Sequence, residues 1–310
     1  MTRHCPVCRL RYPNDREHCF VDGHPLTEPT AWEPLERTGY RFVRALGSGR
    51  LWSTHEFHHV DSGARVAVKV LERDPSSEPG VRGRFLSAGR AAQRLDHPNL
   101  TRVIDVGEGP EGEVFWVTEY LDGEPLSALL SSGPVPRRGP LKILLHVARG
   151  LEHAHGAGLV HGDIDPRSIF ILRSGVTKLC DLGLVPSVRR PDPNFRLPAQ
   201  LTESDAFGSA YYPGVHLEPR DSMAADSYAF GVLIFELIAG RLPYDAKDAL
   251  QLNVQRERLP VPTLRSVWAD VPEPLEALTA GLMAKSASDR PAIADAVVAL
   301  TAIRAAAGFE

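Results

Sequence analysis

The apolar residues change period partway along this chain, and that change limits what it can fold into. Between Tyr40 and Leu121 they come in short runs, YRFVRALGSG, ARVAVKVL and EVFWVTEYL, which alternate or cluster as β-strands do. One stretch inside this part, VRGRFLSAGRAAQRL (81–95), has helical spacing and ends at the turn DHPN. Beyond residue 140 helical spacing takes over, at 140–158, 224–239, 272–283 and 291–303. A β-rich part followed by a helical part is an α+β arrangement, and 310 residues suffice for two lobes.

Composition excludes several function classes. A net charge of −4 leaves no general attraction for nucleic acid or an anionic membrane surface. No apolar run is long enough to span a bilayer, and residues 1–20 are polar, which points to the cytoplasm. Four cysteines in a chain of this length do not make a disulfide scaffold, but three of them fall in the first nineteen residues.

Those three sit in CPVCRLRYPNDREHCFVDGHPL (5–26). Cys5 and Cys8 form a CxxC pair, the spacing with which two thiolates grip one ion from a tight turn. Residues 1–26 resemble the small zinc ribbons found at protein N-termini, with Asp22 standing where the second CxxC pair would end. The resemblance implies Zn2+ held by Cys5, Cys8, Cys19 and a fourth ligand: Asp22 by position, or His24 or His18 by chemistry. Such a ribbon serves protein contact more often than catalysis. Residues 27–38, TEPTAWEPLERT, read as a linker.

From 39 to 305 the chain resembles the bacterial serine/threonine protein kinases. LGSG (46–49) looks like the start of a glycine-rich loop and VAVK (66–69) like the strand that carries the family lysine. HPN (97–99) follows the first helix, and TEYLDG (118–123) looks like the hinge. GLVHGDIDP (158–166) matches the catalytic loop and KLCDLG (178–183) the magnesium-binding motif. ADSYAFGVLIFELIAGRLPY (225–244) and SDRP (288–291) match the long helix and late arginine of the second lobe.

The resemblance implies a bilobal kinase-like fold and a site for ATP and Mg2+. Leu46, Gly47 and Gly49 would cover the nucleotide, and Lys69 would pair with its α- and β-phosphates. Thr118 would be the gatekeeper, with the backbones of Glu119 and Leu121 bonded to adenine. Asp181 would hold magnesium, and Asp163 would orient the attacking hydroxyl and accept its proton. Signalling proteins are the implied partners, with no nucleic acid and no membrane span.

The pattern is broken at several of these places. Trp52 replaces the third loop glycine, and 81–95 holds no acid, Ala88 standing where the lysine's glutamate partner belongs. In HGDIDPRSIF (161–170) Gly162 replaces an arginine, Asp165 a lysine and Ser168 a metal-binding asparagine. At about 4 Å and an effective dielectric near 20, exchanging that lysine for an acid swings the energy by about 8 kcal/mol at most. That is several powers of ten in rate. Val215 and His216 replace the Pro-Glu pair that the late arginine, Arg290, normally meets. Without the arginine at 162, a phosphate on Thr202, Ser204 or Ser209 has lost its usual clamp. Cys180 reads as a small buried apolar residue, and His153, His155 and His161 as structural.

These losses predict a pseudokinase that binds ATP weakly or not at all and acts as a scaffold or regulator. The alternative is an active but atypical serine/threonine kinase, since Lys69, Asp163 and Asp181 all remain. A small-molecule phosphotransferase is a poor match to the DSYAFG helix and SDRP.

Overall fold

The computed structural model describes residues 2–4, 11–13, 16–26, 39–48, 52–71, 80–109, 112–131, 139–188, 210–213 and 222–306. Two compact units divide the chain: Met1–Arg73 with Gly107–Tyr120, and Asp74–Val106 with Leu121–Glu310.

The first unit is β-structure. Strands β1 (Thr2–His4) and β2 (Arg11–Pro13) pair antiparallel. A bridge between His18 and Pro25 closes the next turn, with Tyr12, Cys19 and Leu26 as a small core. The main sheet holds β3 (Tyr40–Ser48), β4 (Trp52–His59) and β5 (Arg65–Leu71). β6 (Val103–Glu108) forms its edge, the Gly107 end lying in this unit, and β7 (Val114–Glu119) pairs antiparallel with β5.

The two-residue period of β5 decides what each side chain does. Val66, Val68 and Val70 enter the core with Tyr40, Phe57, Phe115 and Val117. Each is worth about 2 kcal/mol of burial. Ala67 and Lys69 therefore face the other side, half-buried. Glu56 of β4 is buried between Arg44 and Arg65, at 2.8 and 2.7 Å, and Arg65 stacks 3.8 Å over the Tyr120 ring.

The second unit is mainly helical. Its described elements are α1 (Val81–Ala92), β8 (Gly123–Pro125), α2 (Leu126–Ser131), α3 (Gly139–Gly156), β9 (Ile169–Leu172) and β10 (Thr177–Leu179). They are followed by α4 (Leu184–Val188), α5 (Met223–Ala239), α6 (Ala249–Arg258), α7 (Glu273–Leu282) and α8 (Ile293–Ala306). α5 is buried at every residue from Ala225 to Leu237 and forms the centre of the unit. A helix apolar on all sides has no solvent face to offer. Ser222 caps it, accepting the Ala225 N–H at 3.0 Å. Gly231 lets α7 come close, because a Cβ there would stand 2.8 Å from that of Leu282.

The helices expected from periodicity are present, with ends displaced by up to three residues. α6 escaped the periodic reading because, of its described side chains, only Leu252 and Arg256 are buried. The linker 27–38 lies outside the described residues, as do Cys5, Cys8, Gly49, Thr202, Ser204, Ser209, Val215 and His216. Among the described residues no helix is long and apolar enough to cross a membrane.

Candidate active site

The loop between α3 and β9 carries the site, and α5 holds it. Asp226 sits buried on the first turn of α5. Its carboxylate accepts the backbone N–H groups of His161 at 2.7 Å and Gly162 at 2.8 Å, and His155 Nε2 lies 2.8 Å away. His161 ties this loop to the next. Its Nδ1 accepts the Asp163 N–H at 3.2 Å, and its Nε2 lies 2.6 Å from the carbonyl of Cys180. A carbonyl only accepts, so Nε2 is the donor to it, while Nδ1 accepts.

The carbonyl so held belongs to the residue before Asp181. Asp181 has φ +65°, and among the described residues it is the one non-glycine residue in the left-handed region. That conformation costs a side-chain-bearing residue about 1–2 kcal/mol and persists only where the surroundings impose it. The Ser168 carbonyl accepts the Cys180 N–H at 2.7 Å, and the Asp181 carbonyl accepts the Leu184 N–H at 3.0 Å. Gly162 also has a positive φ, +75°. The glycine removes from that position the strain that an arginine would bear.

Asp165 is buried and organised. It caps the short 3₁₀ turn Pro166–Ser168, accepting the Arg167 N–H at 2.7 Å, with Pro166 fixing the first turn position. Ser168 closes a capping box, its hydroxyl donating to the Asp165 carbonyl at 2.9 Å and accepting the Asp165 N–H at 3.2 Å. The Asp165 carboxylate also takes the Arg167 guanidinium, Nε at 2.9 Å and Nη2 on the same oxygen. Burial opposes the charge on Arg167, but Asp165, then Asp163 and Tyr211, raise its pKa above the ordinary value.

Beside Asp163 a cleft is lined by Gly162, Ile164, Tyr211, Tyr212 and Ala229. The Tyr211 hydroxyl donates to the buried carboxylate of Glu236. The model of the protein kinase domain matches residues 40–299. The chain belongs to the protein kinase family.

Bacterial kinases are among the proteins of similar sequence. The serine/threonine-protein kinase pkn2 of Myxococcus xanthus is 31% identical over 286 residues, covering 84% of this chain and 32% of that protein. PknA of Mycobacterium tuberculosis is 33% identical over 233 residues, covering 73% and 52% respectively. The chain thus spans about a third to a half of these relatives' length. A crystal structure of a point mutant of the Mycobacterium tuberculosis PknI kinase domain superposes with a TM-score of 0.61 at 26% identity. That match covers 85% of this chain and 96% of the other.

Within the first unit, Lys69 lies half-buried on β5, opposite Thr54 of β4 and Trp116 of β7. Thr118 is buried and donates to the Ala67 carbonyl at 3.3 Å. Leu46 and Gly47 lie at the end of β3, and Glu119 ends β7 opposite Val66. Leu121 is the first residue of the segment Leu121–Glu310 of the second unit. Trp52 does not need the freedom of the glycine it replaces, since it opens β4 as an ordinary strand residue opposite Leu71.

The structure changes the reading of the kinase loop. The sequence sets Asp165 against the transferring phosphate as an uncompensated acid; the fold gives it a cation. The 8 kcal/mol swing assumes a bare charge and falls away with that assumption. An altered metal site of Asp165, Ser168 and Asp181 is also disfavoured, because the first two satisfy each other and Arg167. Arg290, whose family partner is missing, donates to the carbonyls of Ala284, Ala224 and Lys285. α1 has no acid, and its Arg84 donates instead to the Ser187 carbonyl of α4 at 3.2 Å.

Two features of the site escaped the sequence reading. One is Asp226, whose signal is an acid within an apolar helix. The other is Arg167, whose signal is the D-P-x-S capping pattern that turns Asp165 inward.

At the N-terminus, Cys19 is buried, 3.2 Å from the Tyr12 hydroxyl, and its sulfur accepts the Val21 N–H at 3.4 Å. Asp22 Oδ1 accepts the His24 N–H at 3.1 Å, closing a turn. Among the described residues no group of three or more His, Cys, Asp or Glu side chains gathers to hold a metal.

Proposed function

We propose that the protein is an active, atypical serine/threonine kinase that transfers the γ-phosphate of ATP to protein hydroxyls. The geometry and the similar proteins favour this over the expected pseudokinase. The observation that carries it is the left-handed Asp181, tied through Cys180 to His161 and so to the catalytic loop. A site released from chemistry has no reason to keep a strained backbone.

In this reading Asp163 takes the proton of the attacking hydroxyl and Lys69 pairs with the α- and β-phosphates. The Asp181 carboxylate is a hard oxygen donor of the kind Mg2+ prefers, and the ion when bound offsets phosphate charge. The N-terminal segment keeps its zinc assignment, with Cys5, Cys8, Cys19 and Asp22 as ligands and His24 or His18 as alternatives to Asp22. A Cys19 sulfur that accepts a backbone N–H supports it.

The test is transfer of labelled γ-phosphate by the full chain, with magnesium or manganese, to itself and to a generic basic protein. Asp163→Asn should lower the rate about 10²–10⁴-fold. No transfer above that variant sinks the kinase reading. Metal analysis of the purified protein tests the zinc: less than one ion per chain removes it.

A further inference from the structure

We propose that Arg167 provides the positive charge for the transferring phosphate, in place of the missing lysine, and that Asp165 is the residue that positions it. The inference rests on the kinase reading above.

The division of the pair between inside and outside comes first. The Asp165 side chain is 4% exposed and that of Arg167 43%. The acid is thus the buried anchor, and the cation is the member that a ligand reaches. Second, capping does not require the charge of Asp165. Asparagine and serine cap as well as aspartate, so the turn alone would be served by a neutral residue. The carboxylate does something more: it fixes the guanidinium by two N–H groups on a turn that Pro166 and Ser168 make rigid. Third, the guanidinium lies within electrostatic reach of Asp163 and Tyr211, which are also at the cleft beside the catalytic loop. A cation held there is close enough to Asp163 to act on a phosphate brought to that carboxylate.

The chemistry then balances with groups this chain supplies. The substrate hydroxyl oxygen bonds to the γ-phosphorus as the bond to ADP breaks. ADP leaves with the electron pair, and the hydroxyl proton passes to Asp163. Negative charge spreads over the equatorial oxygens meanwhile. A planar guanidinium, charged at every working pH and forked to match phosphate, suits that task.

Binding separates this role from a structural one. Thermal-shift titrations with ATP and ADP, each with magnesium, give the two affinities on the full chain. Arg167→Gln keeps an N–H for Asp165 but removes the charge. It should weaken ATP about tenfold, or about 1.4 kcal/mol, and leave ADP within twofold. Equal effects on both nucleotides, or none, overturn the proposal. In transfer assays Arg167→Gln should lower kcat about 100-fold, with Arg167→Lys in between. The double change Asp165→Lys with Arg167→Ala, which returns a cation to the family position, should regain at least tenfold over Arg167→Ala alone. A double variant no better than the single one also overturns it. If the wild type selects ATP through Arg167 yet transfers nothing, the kinase reading fails and the phosphate contact stands.

Discussion

The loop from His161 to Ser168 and helix α1 have both lost charged residues that the kinase family carries there, but the losses differ in outcome. In the loop each replacement is absorbed where it occurs. Gly162 relaxes a left-handed backbone, Asp165 is paired with Arg167, and Ser168 closes a capping box. In α1 no acid replaces the missing one, and Arg84 turns to Ser187 of α4. The lesson is that a motif residue's absence says little until its neighbours are placed. A charge is judged by its partner.

The comparison breaks most sharply at its anchor. Asp226→Ala strips two backbone N–H groups and His155 of their shared acceptor. Chemical denaturation should show a loss of about 3–4 kcal/mol, with phosphoryl transfer abolished. A loss under 1 kcal/mol means the loop is held by something else.

Gly162→Arg restores the family side chain at φ +75°. It should cost about 1–2 kcal/mol and lower the Tm by a few degrees. A variant more stable than the wild type refutes the strain argument.

Ala88→Glu asks whether α1 is uncompensated. Returning the family carboxylate should raise the transfer rate a few-fold, less than about 1 kcal/mol in barrier. An unchanged rate would mean that α1, like the loop, has already made good its loss.

The smallest effect expected is one of pH. Burial, then neighbouring cationic groups, lowers the pKa of His97 and His146; burial alone lowers that of His55. The unfolded chain then binds more protons below about pH 6.5, so this stability is present above that value. It is lost as pH falls through the lowered native values. Tm should therefore drop modestly from pH 7.5 to 5.5; a constant or rising Tm contradicts the shifts.

The sequence made most of the fold legible because period and burial agree in it. The alternation in ARVAVKVL is the buried face of β5, and the largely apolar run after Ser222 is the central helix. Three helices were missed: α2 and α4 have only six and five residues, and α6 has too few buried side chains. The candidate site was legible in position but not in charge state. Asp163, Asp181 and Lys69 follow from motif spacing. That Asp165 turns inward depends on a capping geometry of three further residues, and that Asp226 holds the loop depends on a contact across 64 positions of chain. Spacing rules do not see either.

The ion pair of Asp165 and Arg167 also makes the two positions interdependent. A buried carboxylate without its cation is costly, so neither side chain of the pair can be exchanged freely while the other stays. Two positions in one turn thus behave as a single unit of change.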